Sequence, residues 1–348
     1  MFSPFSSKKI DAVLVQSPEN RFYFTEFAAS DGFLVLSEHR KLFYADARYY
    51  EEAKAKLTEF TVKCVYRGGA YSDIARDLAQ AGVKTLGYED EYITVSAFKG
   101  LEAAFGAYTL APASAVINSL RLVKSPEEIT HITAAQRIAE KAFERVTGAL
   151  RPGVTEKEVK AQIVAECYKH GADELAFKPI VAFGENTALP HHEPSDRKLE
   201  KTDIILLDFG VKLNGYASDM TRTFCLHEPA AQIARLYEVV LSAQTYALKH
   251  IRAGMTCREA DSLAREYIRA NGYDAEFSHS LGHGVGLMVH EPPSVSETSG
   301  ELLLPGMVIT VEPGVYLPGV GGVRIEDLVV VREDGAENLT LTEKKLVL

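Results

Sequence analysis

The feature that most constrains this chain is an internal echo in its C-terminal two-thirds. Gly153-Val154-Thr155-Glu156-Lys157-Glu158 resembles Gly254-Met255-Thr256-Cys257-Arg258-Glu259. Each run predicts a helix with Thr as N-cap and Glu at the third helical position, and each helix is expected to end near a glycine, Gly171 or Gly272. His192-Glu193-Pro194 is echoed by His290-Glu291-Pro292. Ile204–Gly210 is then echoed by Val308–Gly314, so an apolar strand twice delivers a carboxylate, Asp208 or Glu312, just before a turn. Another strand holding an acid follows each, with Asp219 and Glu326. Two such halves packed about a pseudo-two-fold axis would bring four carboxylates face to face. Like charges at that distance cannot all stay ionised unpaired, and a bound cation is the usual solution.

The remaining organisation follows from punctuation. Ser125-Pro126-Glu127-Glu128 reads as a helix start, with Ser as N-cap and Pro at the first helical position. That helix should run to about Ala149, and Asn118–Lys124 reads as a connector. The expected domains are therefore 1–120 and 121–348. In the first, Gly32–Leu36 and Lys41–Tyr44 read as strands, and Asp46–Leu57 and Ser72–Ala81 as helices. This is a smaller α/β domain without a catalytic constellation.

Bulk properties exclude several classes. The net charge of -10 argues against nucleic acid, which needs clustered Lys and Arg. No apolar run reaches the roughly 18 residues of a membrane span, and the N-terminus lacks a signal-peptide pattern. The four cysteines, Cys64, Cys167, Cys225 and Cys257, form no CxxC pair. A reducing, cytoplasmic location is the expectation.

Within 203–224 the chain reads as a hairpin turning near Leu213-Asn214-Gly215, with Asp208 and Asp219 as neighbours. Glu326 and Asp327 are adjacent strand residues and must point to opposite faces, whereas Arg324 and Glu326 share one. Of ten histidines, His279, His283 and His290 crowd into twelve residues among glycines, and His191 and His192 stand side by side. Four carboxylates and an imidazole make a hard donor set. It favours Mn(II), Co(II) or Fe(II), with Zn(II) as a further alternative, over a thiolate metal site. Such a set can hold two ions about 3.5 Å apart around a bridging water.

The runs Leu207–Gly210, Ser218–Thr223, Gly282–Gly286, Val311–Gly314 and Val323–Asp327 resemble those of the pita-bread metallopeptidases, in the branch of prolidase and aminopeptidase P. The resemblance covers about 118–348 and implies an α+β fold: two pseudo-symmetric halves around a curved antiparallel sheet, beside a creatinase-like N-terminal domain. It implies two divalent ions, Mn(II) first. Asp208 would chelate one, Asp219 and Glu326 would bridge both, and His283 and Glu312 would bind the other. It further implies hydrolysis of an Xaa-Pro bond by a bridging hydroxide, with Glu312 as general acid/base. His191, preferred to His192, would contact substrate. His279 and His290 would hold the scissile carbonyl and the proline side, Arg324 matches an active-site Arg, and Phe177 an aromatic of the substrate pocket. The partners implied are small peptides and a second copy of the chain in a homodimer. Ser294 departs from the pattern: strict dipeptidases often carry an Arg there, so longer Xaa-Pro peptides are favoured. Methionine aminopeptidase and a metal-free creatinase-like relative are the alternatives.

Overall fold

The computed structural model describes residues 3–66 and 68–348. Two compact units emerge, Met1–Arg121 and Leu122–Leu348. The first is built on a mixed sheet of β1 (Ala12–Val15), β2 (Phe33–Ser37), β3 (Lys41–Asp46), β4 (Thr61–Val65), β5 (Thr85–Tyr88) and β6 (Thr109–Pro112), ordered β4-β3-β2-β1-β5-β6. The residues of β1 are all buried, as expected of a central strand covered on both faces. The two expected helices occupy Tyr50–Lys56 and Ala70–Gln80. The first starts later than its composition suggests because Asp46 ends β3 and its carboxylate accepts from the Arg48 N–H. The connector expected at Asn118–Lys124 is a correction: helix Ser114–Leu122 covers most of it. Ile117 and Arg121, four apart and so on one helix face, are both buried there.

The second unit contains β7 (Glu174–Leu175), β8 (Ile180–Phe183), β9 (Ile204–Asp208), β10 (Val211–Leu213), β11 (Tyr216–Ala217) and β12 (Thr221–Cys225) in its first half. Its second half contains β13 (Gly282–Gly284), β14 (Glu291–Val295), β15 (Val308–Val311), β16 (Gly314–Leu317), β17 (Gly321–Arg324), β18 (Asp327–Arg332) and β19 (Gly335–Asn338). The long helix Pro126–Thr147 opens on a complete capping box at Ser125.

The echo in the sequence is an echo in space. Helices Glu156–Lys169 and Cys257–Ala270 both begin with reciprocal Thr–Glu capping boxes. Gly153 N–H donates to Leu199 O and Gly254 N–H to Leu303 O, at 2.8 and 2.9 Å. Gly171 and Gly272 both turn with positive φ, 98° and 88°, a conformation that a Cβ would strain. Strand order β12-β9-β8 in one half matches β18-β15-β13 in the other, with central strands β9 and β15 delivering Asp208 and Glu312. Each half buries its own helix-on-sheet core. These are the two pseudo-symmetric halves of the pita-bread fold.

Two local expectations are refined. The 203–224 segment is not one hairpin. β9 and β12 pair with Asp208 opposite Thr221, while β10 and β11 pair separately about an Asn214-Gly215 turn, both residues with φ > 0. Between the two ladders the backbones cross closely: a Cβ on Gly210 would stand 1.8 Å from Ser218 O. The run Val323–Val330 is likewise split, with Ile325-Glu326 at the junction of β17 and β18.

Candidate metal centre

Asp208, at the end of the fully buried strand β9, is itself buried, on the face opposite Leu207 and Phe209, which pack into the core of the first half. Asp219 precedes β12, and Glu326 sits at the β17–β18 junction, where its N–H donates to Thr221 O. His283 comes from the middle of the short strand β13, and Glu312 from just beyond β15. These five side chains line one pocket of about 290 Å³ together with Phe177, His191, His279, His290 and Arg324. Ile180, Pro190 and Ser280 complete its wall. His192 takes another course and bonds the buried Glu156 at 2.8 Å. Asp327 points away from Glu326, into Arg222 and Lys344. Ser294 lies opposite His283 in the β13–β14 ladder and is exposed.

Ligand-type atoms of Asp219, His283 and Glu326 all lie within 4.8 Å of one another. His283 Nε2 is 3.2 Å from Glu312 Oε1 and 3.6 Å from Asp219 Oδ2. Its Nδ1 lies 3.2 Å from Gly284 O; a carbonyl can only accept, so the proton sits there when the ring is neutral and Nε2 is left for a ligand. Arg324 Nη2 donates to Asp208 Oδ2 at 2.5 Å, while Asp208 Oδ1 is buried without a hydrogen-bond partner.

The electrostatics describe a site short of positive charge. Burial, then the charges of Asp208 and Glu312, push the Asp219 carboxyl well above its ordinary range. Glu326 is raised the same way, by burial and then by Asp219, Glu312 and Asp208. Burial also acts against the charge on His283, yet its hydrogen bond and charge pairing with Glu312 raise it to about 9. The same pairing overcomes burial at Glu312 and holds it down at about 2. Four carboxylates thus share two cationic partners, Arg324 and His283. A divalent cation fits this donor set: it would engage the bare Asp208 oxygen, replace the proton on His283 and let Asp219 and Glu326 ionise.

Three buried neighbours escape a motif-based reading. Thr221 donates to Glu326 Oε2 at 2.7 Å, Thr310 to Glu312 Oε1 at 3.0 Å, and Tyr316 links His279 to Arg324 at 2.9 and 2.7 Å. For Thr310 a signal exists. It interrupts the apolar run Val308–Val311 two residues before Glu312 and therefore shares its face. Burial lowers the pKa of both His279 and His290, keeping them neutral near pH 7.

Comparison with known proteins agrees with this architecture. Residues 130–333 match the model of metallopeptidase family M24, and residues 4–123 that of the creatinase/prolidase N-terminal domain. An Xaa-Pro dipeptidase of Pyrococcus furiosus is 37% identical over 345 residues, covering 97% of this chain and 95% of the relative. The solved structure of an Xaa-Pro dipeptidase from Bacillus anthracis is 38% identical with a TM-score of 0.96, covering 99% and 97% of the two chains. That of an X-Pro aminopeptidase from Thermotoga maritima is 36% identical with a TM-score of 0.93, covering 99% of each. With its ligand-rich pocket, its two matched halves and a family match across most of the second unit, this chain belongs to metallopeptidase family M24.

Proposed function

We propose that this chain is a dinuclear-metal peptidase that hydrolyses the bond preceding proline at the N-terminus of short peptides, dipeptides included. The observation that carries this reading is the convergence of Asp208, Asp219, His283, Glu312 and Glu326 on one buried pocket with a bare carboxylate oxygen. The names of the relatives support the proline specificity. Asp208, Asp219, His283, Glu312 and Glu326 would together hold the two ions. Mn(II) is the expected metal, with Co(II), Fe(II) or Zn(II) as alternatives. When bound, the pair supplies Lewis acidity, making a water nucleophilic near neutral pH and polarising the scissile carbonyl.

The chain's own residues do the rest. Glu312 takes the proton of the attacking water and delivers it to the proline nitrogen, which has no hydrogen of its own. His290, exposed and neutral at the pocket, and His191 offer N–H donors to the carbonyl oxygen. Phe177 and Ile180 give the proline ring an apolar wall. Arg324 anchors Asp208 and, through Tyr316, His279.

Ser294 brings no charge to meet a dipeptide's carboxylate, which favours longer peptides. All four cysteines are free, three of them buried, in keeping with a reducing cytoplasm. The test compares Ala-Pro with Ala-Pro-Ala, with Mn(II) and then with a chelator. Chelator-sensitive cleavage of both, faster on the tripeptide, is expected. Cleavage of Ala-Pro alone would make the enzyme a strict dipeptidase. Cleavage of neither, with Met-Ala-Ser cleaved instead, would make it a methionine aminopeptidase.

A further inference from the structure

The helix Cys257–Ala270 carries an ion pair at i and i+4, Asp261 and Arg265. Asp261 is fully buried and Arg265 nearly so. The guanidinium grips the carboxylate with Nε at 2.6 Å and Nη2 at 3.0 Å. Its remaining N–H groups reach the next loop: Nη1 donates to Phe277 O at 3.0 Å and Nη2 to His279 O at 2.8 Å. Asp261 Oδ1 accepts from the Leu281 N–H at 2.9 Å. The guanidinium also lies over the Phe277 ring at 4.2 Å, and that ring stands edge-on to His279 with centroids 5.1 Å apart.

The segment 277–281 belongs to no helix or strand. Its far end is tied by the Glu312 N–H, which donates to Leu281 O at 2.8 Å, and the carbonyls of Phe277 and His279 before it are held by the planar arginine fork. The ring is then oriented by its own ends. Nδ1 donates to Ser280 O at 2.8 Å, and Nε2 faces the Tyr316 hydroxyl at 2.9 Å.

Burying an ion pair gains little stability over apolar packing. The first half of the molecule dispenses with one: counted from the matching caps Thr155 and Thr256, the equivalent helix positions hold Lys160 and Val164. The halves share caps and turns but not this pair, which stands where a pocket histidine is presented.

We propose that Asp261 and Arg265, neither of which lines the pocket, are positioning residues that set the placement of His279 toward substrate. This rests on the Xaa-Pro peptidase reading. The test is a double-mutant cycle on Ala-Pro-Ala with Mn(II)-loaded protein: wild type, Arg265→Lys, His279→Ala and the double variant. Lysine keeps the charge and loses the fork. Arg265→Lys is expected to lower kcat/KM roughly tenfold or more, to leave metal content unchanged, and to add nothing in the His279→Ala background. An equal loss in both backgrounds, or no loss in either, would overturn the proposal, because Arg265 would then act on the fold alone or not at all. If Arg265→Lys does not fold, Asp261→Asn carries the same cycle. Imidazole ¹⁵N spectra read the placement without substrate. The His279 ring signals move in Arg265→Lys if the account holds and stay in place if it does not. A wild type inactive on Xaa-Pro peptides would sink the peptidase reading while leaving this spectroscopic answer intact.

Discussion

Asp219, Glu326 and His283 all hold protons in the metal-free pocket more tightly than their unfolded counterparts do. A group whose folded pKa is raised makes the folded state the better proton binder, so stability falls as pH climbs from the unfolded value toward the folded one. For His283 that window runs from about 6.5, its ordinary value, to about 9. The stripped protein should therefore lose melting temperature between pH 6 and pH 9, and saturating Mn(II) should flatten or reverse that slope. A metal-free melting temperature that rises across the window would contradict the electrostatics described. Residue identity was legible in the sequence where a motif surrounds it, as at Asp208 and Glu312. For His191 and His192 the family pattern favours His191, and it is His191 that lines the pocket. The structure distinguishes them through Glu156, a buried partner 36 residues upstream of His192 whose contact no local pattern reveals. Tyr316 and Thr221 were not legible for the same reason: their partners His279 and Glu326 are distant in sequence, in segments between regular elements.

At the scale of elements, the capping boxes at Ser125, Thr155 and Thr256 form because a short side chain and a glutamate three residues on satisfy the first N–H groups reciprocally. That chemistry is local, so sequence placed these helix starts accurately. Asn118–Lys124 reads as a connector because the buried positions Val116, Ile117 and Arg121 of the helix Ser114–Leu122 give only a loose helical spacing. The crossing after Asp208 is a tertiary demand. Gly210 has an ordinary backbone conformation, and only the approach of Ser218 O, 1.8 Å from where a Cβ would stand, forbids a side chain. Gly210→Ala should destabilise the protein by about 3 kcal/mol, read as a lowered urea midpoint. It should also weaken Mn(II) binding, since Asp208 and Asp219 flank the crossing. A variant with unchanged midpoint would mean the strands can part there without cost.

At the scale of the whole molecule, the duplication explains why one pocket gathers four carboxylates: each half supplies two, and the second adds His283. The echo was readable because caps, glycine turns and strand-end acids recur in the same order. Among the described residues no helix is long and apolar enough to cross a membrane. The homodimer implied by the family resemblance predicts sedimentation at twice the chain mass of 38.2 kDa at micromolar concentration, and a species near the single-chain mass would refute it. The central claim is that Asp208, Asp219, His283, Glu312 and Glu326 hold two divalent ions. It is tested most directly by metal-to-protein stoichiometry after dialysis against Mn(II), for the wild type and Asp219→Ala. Two ions per wild-type chain, and loss of metal together with peptidase activity in Asp219→Ala, are predicted. No bound metal in the wild type, or two ions and full turnover in Asp219→Ala, would contradict it.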